Sequence, residues 1–202
     1  IMQWVKIGKT PALIFYDRGA NTNLICGELA EKENLKVVSD RPSSLKVAGG
    51  KEILTEYGTY KVILGPTEDN RWHSMTCLGL SRCTGSFPEY SLDDINKELR
   101  DQGDLVPAGE PLPSVIGGSK VHILIGMKDV GLDPVLIGIL PSGVGVYRSP
   151  FTDIFGSRIC YGGPHNAFSR ANIASPPEID HAELFLDRIT ELQGIVDDSI
   201  TE

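Results

Sequence analysis

The sequence predicts a mainly β protein that carries one helical insertion and a C-terminal helix. Three observations lead there. Residues 12–16, Ala-Leu-Ile-Phe-Tyr, form an unbroken apolar run that suits a strand buried on both faces. Most other apolar stretches are just as short, rich in Val, Ile, Thr and Tyr, and closed by Gly or Pro. Helical patterning is confined to a short piece at 28–33, a segment near 91–103 and a segment beyond Asp180.

In chain order, the strand at 12–16 is broken by Asp17-Arg18-Gly19-Ala20-Asn21, and the apolar pair Leu24-Ile25 follows. Residues 28–33 fit a short helix, and Leu35 to Val38 and Leu45 to Ala48 read as short strands. Gly49-Gly50-Lys51 is a turn signal between strands. Thr55 to Leu64 and Trp72 to Leu80 are strand-like, with Gly65-Pro66 between them.

Residues from about 81 to 120 change character and read as an insertion. Ser91 is placed to cap a helix with Leu92, Ile95 and Leu99 on one face, ending near Gly103. Val121 to Ile125 is a second compact apolar strand closed by Gly126, and further strands are expected at 135–140 and 144–147. Residues 161–177 look like a linker. A final helix starts at Asp180, with Glu183 three places on as a capping box and an apolar stripe of Ala182, Phe185, Leu186, Ile189 and Leu192.

Composition narrows the function classes. The 202 residues carry a formal net charge of -8 and no basic run, so nucleic acid is not expected as a direct partner. No apolar stretch reaches the roughly 18 residues of a membrane span. The first residues lack the zones of a signal peptide and do not begin with Met, which reads as a segment of a longer product. Cysteines at 26, 77, 83 and 160 show no C-x-x-C spacing, and buried or free thiols in a reducing compartment are expected. Histidines at 73, 122, 165 and 181 do not pair at metal-ligand spacing, so neither a metal nor another cofactor is expected.

The chemistry-bearing unit is a buried strand, then Asp17, any residue, Gly19, a small residue, a polar residue and Leu24-Ile25. A carboxylate at the end of such a strand sits where the next turn's N–H groups can hold it, and glycine lets that turn close. One carboxylate does not make a peptidase. Two facing carboxylates that share one proton do, one acting as base on a water and the other as acid toward the carbonyl. A chain with a single such loop supplies the pair only by symmetric dimerisation. Asp129-Val130-Gly131 also fits Asp-X-Gly, but no strand runs directly into it, and a short helical turn is expected there.

The stretch from Ile14 to Ile25 resembles the active-site loop of retropepsin-like aspartic proteases, most closely those of BEL/Pao-type retrotransposon polyproteins. His122-Ile123-Leu124-Ile125-Gly126 is similar to the hydrophobic-hydrophobic-Gly motif of that family, and Leu45 to Tyr60 resembles its flap hairpin. Gly145 to Ser149 and Tyr161 to His165 resemble the tail of such domains. The resemblance covers roughly residues 10 to 165. It implies a closed barrel with a flap as domain 1–165, with 166–202 as linker and amphipathic helix. Asp17 would be catalytic, with Arg18, Gly19, Ala20 and Asn21 in its loop. Ala48, Gly49, Gly50 and Lys51 would form the flap, and Leu124, Ile125 and Gly126 would support the loop from below. The implied partner is a second copy, the implied substrate peptide segments of the chain's own polyprotein, and the implied setting intracellular, within a retroelement particle.

Arg18 departs from the family's Asp-Ser/Thr-Gly. A guanidinium that faced the two acids would favour both being ionised and remove the shared proton. A guanidinium that pointed outward would be free to bond to carbonyls of the partner copy and do the locking itself. A catalytically silent binding or structural module is therefore the alternative expectation.

Overall fold

The first two strands show why the sheet forms. β1 (Met2–Ile7) alternates the buried residues Gln3, Val5 and Ile7 with more exposed ones, the pattern of a strand covered on one face. β2 (Thr10–Tyr16) buries Ala12, Leu13 and Ile14 in succession, as a strand covered on both faces does. Gly8-Lys9 joins them in an antiparallel hairpin with Ile7 opposite Thr10. Gly8, at φ +57°, supplies the left-handed backbone that this turn needs.

The structure, a computed structural model, describes residues 1–46, 52–67 and 69–163. After β2 come β3 (Leu24–Cys26), α1 (Gly27–Lys32), β4 (Lys36–Ser39), β5 (Ser44–Lys46), β6 (Glu52–Leu54), β7 (Thr59–Leu64) and β8 (His73–Leu80). The insertion holds β9 (Ser86–Phe87), β10 (Tyr90–Ser91), α2 (Asp93–Asp101), β11 (Val115–Ile116) and β12 (Ser119–Lys120). The chain then returns through β13 (Ile123–Ile125), a 3-10 helix (Met127–Leu132), β14 (Val135–Ile139), β15 (Gly145–Arg148) and β16 (Ile159–Gly162). The protein is mainly β, and its ten-stranded mixed sheet runs β14-β15-β16-β1-β2-β13-β3-β8-β7-β4.

That order corrects the expected closed barrel. A sheet closes only when its first and last strands pair. Here β14 pairs with β15 and β4 with β7, and neither has a second partner strand among the described residues. The insertion covers the β14–β16 end instead. Leu92, Ile95 and Leu99 of the insertion pack with Leu140, Val144, Val146, Ile159 and Tyr161 in one core cluster. The insertion thus covers one face of that end, while Val135, Leu136 and Ile139 of β14 stay exposed. The legs of the insertion pair with each other, β9 with β12 and β10 with β11.

Three local readings also shift. β1 and β16 are strands that the sequence pattern did not flag, and β16 reaches into the stretch read as the start of a linker at 161. The N-cap of α2 is Leu92, although the Ser91 hydroxyl still accepts the N–H of Asp93 at 3.3 Å. The predicted C-terminal helix, with its stripe from Ala182 to Leu192, lies outside the described residues. Among the described residues no helix is long and apolar enough to cross a membrane.

Candidate functional site

Asp17 is the first residue beyond β2, and its place is fixed from three sides. Below it, β13 runs parallel to β2, with Ile123, Leu124 and Ile125 opposite Ile14, Phe15 and Tyr16. On its other edge β13 pairs antiparallel with β3. The strands flanking the Asp17 loop are therefore separated by a strand about a hundred residues downstream. The Asp17 N–H donates to the Ile125 carbonyl at 2.9 Å, continuing the β2–β13 ladder into the loop. Fully buried Tyr16 anchors the strand end through its hydroxyl, which donates to Gln3 Oε1 at 3.0 Å. Burial also drives that phenol's pKa far above its usual range, so it stays protonated.

Within the loop, the Gly19 N–H donates to Asp17 Oδ1 at 2.8 Å, and the Ala20 N–H donates to the Asp17 carbonyl at 3.1 Å. A Cβ on Gly19 would lie 3.1 Å from Asp17 Oδ1, so a side chain here would crowd the acid. The Ala20 carbonyl accepts from Met127 N–H at 2.8 Å, which ties the loop to the residue after Gly126. Gly126 has no room for a side chain, because a Cβ would sit 2.5 Å from the Thr22 carbonyl and 2.7 Å from that of Ala20. Asp17 is half-buried, Ala20 half-buried, and Arg18, Gly19 and Asn21 exposed.

Asn23 was read only as part of a polar stretch, yet it holds the underside together. It is wholly buried. Its Oδ1 accepts from Gly126 N–H at 3.0 Å, and its Nδ2 donates to Thr76 O at 3.4 Å and to Asp129 Oδ2. The other Asp129 oxygen meets His73 Nε2 at 3.2 Å. The Asp-X-Gly at Asp129 therefore belongs to the framework. It lies in the 3-10 helix, as the expected helical turn, with Asp129 itself kinked out of helical geometry at φ -115°, ψ 48°.

Arg18 pairs with a carboxylate far along the chain. Its Nε donates to Asp133 Oδ2 at 2.6 Å, with the arginine side chain 60% exposed and that of Asp133 21%. Neither Asp133 nor this contact is visible in local sequence, since 115 residues separate the partners.

Ala48, Gly49, Gly50 and Lys51 lie outside the described residues, but both arms of their hairpin are described. β5 pairs antiparallel with β6, with Leu45 opposite Ile53. Leu45 and Ile53 pack in a cluster with Leu24, Leu80, Leu124, Phe15 and Ala20. The hairpin is thus rooted in the same apolar patch that flanks the Asp17 loop.

All four cysteines are free, and burial pushes Cys83 and Cys160 up to about 12, which keeps them as thiols. His122 is a structural residue, its Nδ1 accepting the Leu13 N–H at 3.0 Å. Burial, with help from Lys120 and Lys32, holds its pKa below the usual value, which keeps that acceptor free of a proton. No group of three or more His, Cys, Asp or Glu among the described residues is arranged to hold a metal ion.

Comparison of the chain with protein-family models, with curated proteins and with solved structures found no match.

Proposed function

We propose that the chain is a retropepsin-like aspartic endopeptidase of a BEL/Pao-type retroelement, active as a homodimer with one Asp17 from each copy. The observation that carries this reading is the support of a single exposed-side acid. Gly19 N–H holds one oxygen of Asp17, β13 locks the strand beneath it, and the neighbouring guanidinium is drawn to Asp133. The pairing of Arg18 with Asp133 supports the reading, because it gives the guanidinium a carboxylate other than Asp17.

In this reading two Asp17 carboxyls share one proton, because like charges so close do not both ionise. The ionised member takes a proton from a water as its oxygen attacks the peptide carbonyl carbon. The protonated member gives its proton to the carbonyl oxygen. The tetrahedral carbon then collapses, the C–N bond breaks, and the amine leaves with a proton from the pair. An extended peptide of the polyprotein would lie between the loop and the β5–β6 hairpin, with Gly19 and Ala20 against its backbone.

The test is incubation of the purified chain with a denatured protein across a pH range, with and without pepstatin. Cleavage that pepstatin blocks and Asp17→Asn abolishes supports the reading. A folded dimer that cleaves nothing at any pH leaves the silent binding module, for which Arg18 in place of a hydroxyl is the residue responsible.

A further inference from the structure

The turn between β7 and β8 forms one wall of a groove of about 700 Å³, well within the size range of ligand sites. The turn is firmly built. Thr67 Oγ1 accepts the Arg71 N–H at 3.1 Å and donates to Asp69 Oδ1 at 2.6 Å. An antiparallel bridge from Thr67 to Phe151 ties it to the chain ahead of β16. From that side Arg158 enters the groove, its guanidinium oriented by Nε and Nη2, which donate to the Ser149 carbonyl at 3.1 and 3.0 Å. Among the described residues that line the groove, Arg71, His73 and Arg158 are basic and Asp69 is acidic. That balance is the reverse of the chain's own net charge of -8. Trp72, between Arg71 and His73, is 64% exposed, although a large apolar side chain gains by being covered.

We infer that this groove docks a short acidic peptide segment, with carboxylates at Arg71 and Arg158 and an apolar side chain on Trp72. Guanidinium groups pair best with carboxylates and phosphates, and an indole beside them adds a place for an apolar group. A peptide combines both within a few residues. A nucleic-acid strand fits less well, because its continuous phosphates need a longer basic face than three side chains with Asp69 among them. The groove also backs onto the Asp17 loop. His73 Nε2 meets Asp129 Oδ1 at 3.2 Å, and Asp129 lines the small hollow beside Asp17 and Arg18. A substrate held in the groove as well as at Asp17 gains the second contact as an intramolecular one. The assignment of the acidic segment to the substrate polyprotein rests on the protease reading; the groove's preference for acidic peptide does not.

The experiment is calorimetric titration of the full chain with a short synthetic peptide of alternating Glu and Leu, beside its Gln-for-Glu counterpart and an oligothymidylate. The acidic peptide should bind, more weakly as salt rises, and the Gln peptide should bind far less. Arg71→Glu should weaken binding about 10-fold and Trp72→Ala about 5-fold. Both side chains are exposed, so thermal midpoints should match the wild type. Lys36→Glu on β4 makes the same change of charge outside the groove and should leave binding unchanged. Absence of binding, binding that ignores Arg71→Glu and Trp72→Ala, or an equal loss with Lys36→Glu overturns the inference. Oligothymidylate bound in preference, and lost with Arg71→Glu, overturns it in favour of nucleic acid. The link to the substrate is read from cleavage. An acidic tail joined to a substrate by flexible linkers of several lengths should lower KM with kcat unchanged, and Arg71→Glu should cancel that gain alone. A tail without effect overturns the link. Peptide binding without Asp17-dependent cleavage keeps the groove and sinks the protease reading. Asp17-dependent cleavage without peptide binding does the reverse.

Discussion

The chain contains Asp-X-Gly at Asp17, Asp101 and Asp129, and the first and the last of these tripeptides do opposite things. At Asp17 one carboxylate oxygen is held by the Gly19 N–H, and the residue stays half-exposed at a strand end. At Asp129 one oxygen meets Asn23 and the other His73, inside a 3-10 helix. One acid is presented and the other is consumed. The tripeptide is therefore not the signal. A strand running straight into the acid turns it outward, whereas a helical turn after Gly126 folds it back under the loop.

The comparison can be broken most forcefully at Asp17. Asp17→Asn keeps an oxygen for the Gly19 N–H but removes the titrating pair, so cleavage should fall by roughly 1000-fold or more while the thermal midpoint barely moves. Equal loss of stability and activity would show that Asp17 is framework like its counterpart. Gly126→Ala comes next. The added methyl meets backbone that cannot yield, and urea unfolding should show a loss of about 2–4 kcal/mol. Asp129→Ala should cost about 1–3 kcal/mol by removing one of the two acceptors of Asn23 Nδ2 and the partner of His73 Nε2. If it abolishes cleavage without destabilising the fold, the two acids have been assigned the wrong way round.

A smaller effect concerns pH. The folded-state pKa of His122 is depressed, so the unfolded chain binds its proton more readily. Stability from this group is present above its ordinary pKa near 6.5 and is lost as pH falls below it. The thermal midpoint should drop on acidification through this window, and His122→Asn should flatten the slope. The smallest effect is expected from Arg18→Ser. Its ion pair with Asp133 is largely exposed, and unfolding free energy should change by less than about 1 kcal/mol. A larger loss would mean that Arg18 locks the loop more firmly than an exposed pair can.

Much of the site was legible in order but not in connection. The buried strand before Asp17, the small residues after it and the apolar run ending at Gly126 were all readable from local pattern. So was the hairpin, whose arms are paired while its turn lies outside the described residues. Asn23 could not be picked out. A polar residue within a polar stretch looks solvated until the partners that bury it are known. β1 and β16 were missed for a related reason. Gln3 and Lys6 interrupt the apolar pattern of β1, and the buried Gln3 is satisfied by Tyr16 on the neighbouring strand and by Phe151 and Ser149 far along the chain.

By itself the sequence determined the mainly β character, the helical insertion, and an acid set between a buried strand and a Gly-bearing turn. These follow from side-chain periodicity and glycine freedom, which act over a few residues. Only the tertiary structure decided that β13 separates β2 from β3, that Arg18 faces Asp133, that Asp129 is spent on Asn23, and that among the described residues the sheet ends at β14. Each depends on hydrogen bonds or packing between segments far apart in the chain, and no local pattern specifies which distant strand will satisfy an exposed edge.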